Sequence, residues 1–392
     1  MRKIFHQLHL WLSIPFGIII SIICFTGATL VFETEIMEAL YPERYYVEQS
    51  LSAPLPMEQL LNNVASTLPD TVSISGVTVS ADPEKAYQVM LSKPRRASLY
   101  LNQYTGEVIG YNKRGAFFTF MFRAHRWLLD TVVHGHFSWG KTLVGVSTLA
   151  FVFIILSGVV IWVPRSRKAL KNRLSIKTNK GWRRFWFDLH VSGGIYATVI
   201  LLALALTGLT WSFPWYRTGF YKVFGVEMAQ GTPQHAASQH GKPQDGKSQG
   251  GKPNGAAERG GRGGFGMSPF RSWQKAYEAV IASNSDFRQI NISKDGIDVA
   301  IQGWGNQRGA DRYTFDRKGE ITGVQTYKDQ DKAGKLRGWI YSVHVGNWGG
   351  WFTRILTFLA ALMGAVLPMT GYYLWLKKKK RTKEKNMSTP GK

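Results

Sequence analysis

The sequence predicts a membrane α-helical protein, a four-helix transmembrane bundle with two extracytoplasmic α+β domains that arose by internal duplication. Three observations predict this class. Four apolar stretches are each long enough to cross a bilayer, which takes about 20 residues. Basic residues cluster between the second and third stretches and after the fourth. The order helix, polar segment, helix also occurs twice along the 392 residues.

The four apolar stretches are expected to be membrane spans. Tryptophan or basic residues flank each of them, as is typical where a helix meets the membrane surface. A buried helix of a soluble protein is the alternative for any single stretch, but four of this length favour a membrane protein. The first stretch is too long for a signal peptide and lacks a small-residue cleavage site, so we expect a retained anchor. The stretches are Trp11–Phe32, Leu143–Val163, Ser192–Phe213 and Trp351–Leu376.

The net charge of +24 is placed as membrane topology requires. Lysine and arginine are enriched at the cytoplasmic ends of membrane helices. The basic connector 165–184 and the basic tail 377–392 are therefore expected to be cytoplasmic, together with both termini. The polar segments 33–120 and 214–340 then lie outside. This distribution indicates contact with membrane lipid and argues against a nucleic-acid partner.

Each outer segment has the same predicted order of elements. A helix at 57–68 precedes strands at 72–79, 86–91 and 97–102, and a helix at 273–282 precedes strands at 287–292, 297–302 and 312–316. Both series end in a turn and a further strand, Tyr-Thr-Gly-Glu-Val-Ile-Gly at 104–110 and Lys-Gly-Glu-Ile-Thr-Gly at 318–323. These matched endings support a duplication.

The predicted boundaries follow from these elements. Within the second outer domain, the stretch 230–266 is rich in Gly, Gln, Lys and Ser, and we expect a flexible loop there. The divisions are transmembrane helix 1 (1–32), outer domain 1 (33–120), helix 2 with an outer lead-in (121–164), the connector (165–184), helix 3 (185–213), outer domain 2 (214–340), helix 4 (341–376) and the tail (377–392).

Histidines lie at or near the ends of the predicted spans. His9 stands 18 residues before Gly27 (27 − 9), and His190 stands 18 before Gly208 (208 − 190). Histidines kept in register in a duplicated membrane unit indicate paired ligands held between helices, and six-coordinate haem iron needs two axial imidazoles. Hydrogen bonding to lipid headgroups is the alternative for a single histidine. Outside the flexible loop the histidines are His6, His9, His125, His134, His136, His190 and His344.

Spacing does not decide which histidine is the partner of His344 near the outer membrane face. His344 lies 27 residues before Gly371 (371 − 344), whereas His125 and His134 lie 33 and 24 before Gly158 (158 − 125; 158 − 134). Spacing alone slightly favours His134, and the adjacent His136 is a further candidate.

The chain resembles the PepSY-associated membrane proteins, a family that includes ferric-siderophore reductases of the FoxB type. The resemblance rests on the order helix, PepSY domain, helix, on the Tyr-Thr-Gly-Glu-Val ending, and on segments such as His-Arg-x-Leu-Leu at 125–129. It implies a bacterial inner-membrane protein with periplasmic PepSY domains and two b-type haems. His9 and His190 would hold the cytoplasmic-side haem, and His125 and His344 the outer haem, with His134 as the runner-up for His125.

The function that the resemblance implies is electron transfer across the membrane to a ferric siderophore, or another ferric chelate, for iron uptake. No catalytic residue separate from the haems is predicted. The sequence has no Gly-rich nucleotide motif, so electrons would come from a quinol or a separate cytoplasmic reductase. The alternatives are a non-enzymatic PepSY anchor that binds or regulates extracytoplasmic peptides or proteases, and a haem or metal permease component.

Overall fold

A computed structural model describes residues 2–387 apart from 49–52, 95–96, 113, 132–136, 228–267, 302 and 304. The expected flexible loop 230–266 and the candidates His134 and His136 therefore lie outside the described residues. In the described part of the chain, four helical stretches are long and apolar enough to cross a membrane: Arg2–Leu30, Trp139–Trp162, Trp182–Ser212 and Gly350–Lys379. These stretches confirm the predicted membrane α-helical class.

The helices follow the predicted order and add short ones around the spans. Apolar residues on all sides of the long helices suit them to lipid and to each other. In chain order the helices are α1 (Arg2–Leu30), α2 (Glu33–Leu40), α3 (Pro42–Tyr45), α4 (Met57–Thr67), α5 (Ala116–Trp127), α6 (Trp139–Trp162), α7 (Arg167–Leu174), α8 (Trp182–Asp188), α9 (Gly194–Ser212), α10 (Pro214–Val223), α11 (Pro269–Ser283), α12 (Lys332–His344) and α13 (Gly350–Met387).

The spanning helices form a bundle in which α1 and α9 are diagonal. Each of these two packs against both α6 and α13. Buried side chains fill the centre of the bundle. A π-helical turn, Leu189–Gly193, joins α8 to α9 in one continuous stretch. The buried apolar side chains are Ile20, Phe151, Val152, Ile154, Ile155, Ala197, Leu201, Ala205, Leu209 and Ala360.

The strands of both outer segments form one antiparallel sheet. Its strand order is β4-β3-β2-β1-β5-β6-β7-β8, so the first strand of each segment pairs with the other at the centre. Val77 lies opposite Ile292 in this central pairing. The structure confirms the predicted α+β region, whereas the shared sheet was not predicted from the sequence. The strands are β1 (Ile74–Ser80), β2 (Tyr87–Leu91), β3 (Ser98–Leu101), β4 (Val108–Tyr111), β5 (Phe287–Ser293), β6 (Gly296–Ile301), β7 (Asp311–Phe315) and β8 (Ile321–Gln325).

One hydrophobic core lies between this sheet and the helices α4 and α11. The inward residues of the strands alternate with outward polar ones, as expected for a sheet with one covered face. Leu60 on α4, Ala276 on α11 and Ile292 on β5 are completely buried in this core. The two outer segments therefore share a core as well as a sheet.

The sheet lies at one end of the bundle and the basic connector at the other. The guanidinium of Arg173 on α7 donates a hydrogen bond of 3.1 Å to the carbonyl of Ile161, at the far end of α6. Near the start of the third span, the carboxylate of Asp188 is buried and pairs with Arg184 at 2.8 Å. The fixed connector thereby positions the residues that follow Asp188.

We expect Ile292→Ala to destabilise the outer sheet by about 2–5 kcal/mol, because removal of a fully buried side chain leaves a cavity. Thermal unfolding of the purified protein, followed by tryptophan fluorescence, measures the change. Val324→Ala is the control, since Val324 on the edge strand β8 is 54% exposed and its truncation should cost no more than about 0.5 kcal/mol. Equal losses in both variants would contradict a core shared across the central strands.

Candidate functional site

Four histidines meet in two pairs inside the bundle. The ring centres of His9 and His190 are 6.3 Å apart, with the rings nearly perpendicular. The ring centres of His125 and His344 are 6.2 Å apart. The structure therefore brings together both pairs of residues named in the sequence analysis. His6 lies exposed near the start of α1.

Each of the four rings forms a hydrogen bond to a main-chain carbonyl of a neighbouring spanning helix. The ring atom is Nδ1 in every case, and the carbonyl belongs to a residue near the middle or end of that helix. The distances are 3.0 Å for His9 to Ile154, 2.9 Å for His125 to Ile23, 3.1 Å for His190 to Leu367 and 3.1 Å for His344 to Leu204.

A hydroxyl group stands beside each of these carbonyls. The residue is always three positions later in the helix, and its oxygen lies near the same Nδ1. The distances are 3.2 Å from His9 to Ser157, 3.5 Å from His125 to Thr26, 2.8 Å from His190 to Thr370 and 3.1 Å from His344 to Thr207.

These partners determine the tautomer of each ring. Every hydroxyl already donates to a carbonyl of its own helix; Thr370, for example, donates to Leu367 at 2.7 Å. Both groups facing Nδ1 therefore act as acceptors, and Nδ1 must carry the proton. In the described part of the chain, the hydrogen bonds of the four rings all use Nδ1. The lone pair of each Nε2 is left available for a ligand.

A glycine lets each ring approach its carbonyl. It lies four residues after the carbonyl residue, on the same helix face. A Cβ atom added at Gly27 or Gly208 would lie 2.9 or 3.0 Å from the Cε1 atom of His125 or His344, so the ring would have to move away. Around the other pair the contact is looser, at 3.3 Å for Gly158 to His9 and 3.5 Å for Gly371 to His190.

The three features form one sequence pattern, which is present in every spanning helix at the point where a histidine ring contacts it. An apolar residue supplies the carbonyl, a Ser or Thr follows at the third position, and Gly follows at the fourth. The sequence analysis used these glycines as landmarks for spacing but assigned no role to the hydroxyl residues. The repetition was the signal that could have identified them. The segments are Ile23–Gly27, Ile154–Gly158, Leu204–Gly208 and Leu367–Gly371.

The hydrogen bonds divide the bundle into two reciprocal halves. Helix α6 holds His9 of α1, and α1 in turn holds His125, which comes just before α6. Helices α13 and α9 exchange the same contacts through His190 and His344. Every facing pair therefore takes one ring from each half.

The two pairs lie at different levels of the bundle. On α1, His9 and the carbonyl that holds His125 are 14 residues apart (23 − 9), and on α9 the matching separation is also 14 (204 − 190). At a rise of 1.5 Å per residue, this corresponds to about 21 Å along the bundle axis. The arrangement thus provides two separate sites, one near each end of the spans.

Local backbone irregularities accompany two of the histidines. His190 lies within the π-helical turn, a feature that is frequent at functional sites because one extra residue reorients the side chains. Helix α5 ends at Trp127, shortly after His125. The next two residues, Leu128 and Leu129, have positive φ angles of 47° and 67°. Such angles are unfavourable for leucine and indicate that the surrounding structure imposes this chain reversal.

An apolar cavity of about 1100 Å³ opens between α1 and α13 and reaches towards both levels. Thr26 and Thr370, the hydroxyl residues behind His125 and His190, line it. Phe25, Leu362 and Met369 contribute apolar walls. The cavity therefore provides space for a large apolar group beside the histidine pairs.

The geometry of each pair suits a metal ion bound between two imidazoles. Metal–nitrogen bonds of about 2 Å on opposite sides of one ion place the two ring centres roughly 6 Å apart. Among the described residues, no group of three or more His, Cys, Asp or Glu side chains is positioned to hold a metal ion. An ion held by such a pair would take its other ligands from a bound cofactor or from solvent.

Comparison with known proteins gives one family. The family model described as the PepSY-associated TM region matches residues 6–378. A search of curated proteins finds no significant match. The matched range includes all four spanning helices, the sheet and the four histidines.

We expect all four rings to carry their proton on Nδ1 in the protein purified without any added cofactor. Nitrogen-15 NMR of histidine-labelled protein distinguishes the two tautomers. His6→Ala assigns the signal of the exposed histidine near the start of α1 and serves as the control. If any of these four rings carried its proton on Nε2, the proposed orientation would be contradicted, since the free lone pair would then lie on Nδ1 and face the carbonyl.

Proposed function

Since the chain belongs to the PepSY-associated TM family, we propose that it is a di-haem membrane reductase. Two b-type haems would lie between the halves of the bundle, one at each level. Electrons would cross the membrane through them and reduce a ferric chelate, such as a ferric siderophore, on the outer side. The reduction would release iron for uptake, because ferrous iron is held less tightly by hard oxygen ligands.

The observation that carries this proposal is the pairing of four oriented imidazoles. Each pair offers two Nε2 lone pairs from different halves, at a separation that suits one iron between them. Haem iron held by two imidazoles would take one ring from each half, His9 and His190 at one level and His125 and His344 at the other. Hydrogen bonds from Nδ1 to carbonyls are the usual support of metal-bound histidine.

The surroundings also suit haem. A flat macrocycle needs apolar walls and backbone that it can approach closely, and the cavity between α1 and α13 and the four glycines meet these needs. Haem iron bound at the two pairs would supply one-electron transfer. The chain's own residues would hold the rings, exclude water from the apolar interior and separate the two levels by about 21 Å.

We propose that electrons move from the cytoplasmic to the outer level. The positive-inside rule supports a cytoplasmic position for the His9–His190 level, because the basic connector lies at that end of the spans. The sheet would then lie in the periplasm of a bacterial inner membrane. A quinol or a separate cytoplasmic reductase would supply the electrons. The matching order of both halves supports their origin by duplication.

The pairing distinguishes this function from the two alternatives. A permease that carries haem as cargo would be served by one labile ligand at each site, whereas this chain fixes both rings of each pair by hydrogen bonds. A PepSY anchor without a cofactor would leave the four partly buried rings without a role, and polar groups inside a membrane are costly.

We expect the wild-type protein to bind two haems per chain, and His190→Ala or His9→Ala to bind one. Each substitution removes an axial ligand of the cytoplasmic-side haem only. Haem quantification by the pyridine haemochrome method, together with the visible spectrum, measures the change. His6→Ala is the control and should retain both haems.

The same measurement identifies the outer ligand. His125→Ala and His344→Ala should each remove the outer haem, whereas His134→Ala should retain it. Loss of haem in His134→Ala with full retention in His125→Ala would transfer the ligand role to His134. A wild-type protein that never binds haem would contradict the proposed function as a whole.

The hydroxyl of Thr370 is expected to support the His190 ligand. Thr370→Val removes one of the two acceptors of Nδ1, and loss of such a support typically lowers metal affinity about 10–100-fold. Haem retention during competition with apomyoglobin measures this affinity. Thr370→Ser should bind haem as the wild type does. Thr198→Val is the control, since Thr198 donates only to Gly194 of its own helix; equal haem loss in both valine variants would exclude a supporting role.

A further inference from the structure

Three basic residues converge beside the outer histidine pair. Arg126 directly follows His125 on α5, Lys141 lies in the first turn of α6, and Arg217 lies in α10. The positive charge of Arg126 acts on the rings of both His125 and His344. The charges of Arg126 and Arg217 both act on Lys141.

Packing of the backbone brings the three elements together. Gly140, at the start of α6, lies so close to Trp127 at the end of α5 that a Cβ atom would overlap the Trp127 carbonyl. One turn later, a Cβ at Gly145 would lie 2.6 Å from the ring of Phe213, just before α10. Lys141 therefore stands between the ends of α5 and α10.

Two of the cations lack an acidic partner. In the described part of the chain, neither Lys141 nor Arg217 takes part in an ion pair. The Nε atom of Arg217 is buried and has no hydrogen-bond partner among these residues. Partly buried like charges repel each other strongly, so a nearby anion would stabilise the cluster.

The acidic side chain beside the cluster already has another role. The carboxylate of Asp130 accepts hydrogen bonds from Ser138 Oγ at 2.7 Å and from the Gly140 amide at 2.9 Å. Both interactions cap the start of α6. The carboxylate is therefore occupied at the helix N-terminus.

We propose that Arg126, Lys141 and Arg217 form a binding site for carboxylate groups beside the outer histidine pair. Guanidinium groups bind carboxylates through two parallel hydrogen bonds, and an ammonium adds a compact charge. This inference rests on the proposed function, because that function supplies the two possible sources of the carboxylate. These are the propionates of the outer haem and the carboxylates of a ferric chelate such as ferric citrate. The Nε of Arg217 is buried and has no partner among the described residues, which favours either of these ligands, held within the protein, over a lipid phosphate.

Gallium(III) citrate distinguishes the chelate from the haem propionates as the source. It resembles ferric citrate, but its metal is not reduced during the binding measurement. Its binding to the purified full-length protein is measured by isothermal titration at low and high salt, for the wild type, Arg217→Gln and Lys141→Gln. The reduction potentials of the haems are measured on the same samples. Lys222→Gln is the control for Lys141→Gln, because Lys222 is an exposed lysine on α10.

A loss of gallium citrate affinity of about tenfold or more in either variant, with no loss in the control, supports the site with the chelate as its source. Unchanged citrate binding with a lower reduction potential of one haem supports the site with propionates as its source. A cation beside the haem stabilises the reduced state, so its removal lowers the potential. Variants that match Lys222→Gln in both measurements would overturn the proposal, as expected if these charges serve only lipid headgroups. Citrate binding needs no electron transfer, so a protein without haem would count against the reductase and still leave the gallium citrate measurement as a test of the site.

Discussion

The hydrogen bond from each imidazole Nδ1 to a carbonyl of a neighbouring spanning helix is the constraint on which the site depends. The membrane interior offers no water to a polar ring, so each histidine needs a protein partner. A helix carbonyl already accepts the amide four residues later, and its second lone pair is reachable only where side chains leave room. Glycine at that later position provides the room, as at Gly27 beside His125. The same bond directs each Nε2 away from its supporting helix.

The site also depends on how the two halves of the chain are joined. Each half supplies one ring to each level, so neither half alone could provide two axial ligands. The central pairing of β1 with β5 makes one sheet of both outer segments, and an ion pair between Glu35 on α2 and Arg354 on α13 connects the halves just below it. Towards the opposite end, the hydroxyl of Tyr372 on α13 donates a hydrogen bond of 3.3 Å to the carbonyl of Ser13 on α1 and so connects the halves near the His9 level. A rigid relation between the halves keeps the facing rings at a fixed distance.

The sequence predicted the spans, the α+β region and the His9–His190 pair, because these follow from local apolar length, alternation and register. The choice of His125 came from the family resemblance, since spacing alone favoured His134. The partner of His344 could not be chosen by spacing, since the chain reverses at Leu128 and Leu129 through an unusual backbone that no spacing rule anticipates. The shared sheet was missed because pairing between β1 and β5 joins residues more than 200 positions apart. The roles of Thr26, Ser157, Thr207 and Thr370 required the packing of one helix against another, although their fourfold repetition was visible.

Electron paramagnetic resonance of the oxidised, purified protein tests the central claim most directly. The four oriented rings predict two low-spin ferric centres, each with two imidazole ligands. Their signals should differ, because the rings of His9 and His190 are nearly perpendicular, at 88°, whereas those of His125 and His344 are tilted by 50°. A high-spin ferric signal, or a protein without haem iron, would contradict the account, because the Nε2 lone pairs of facing rings would then not share one iron.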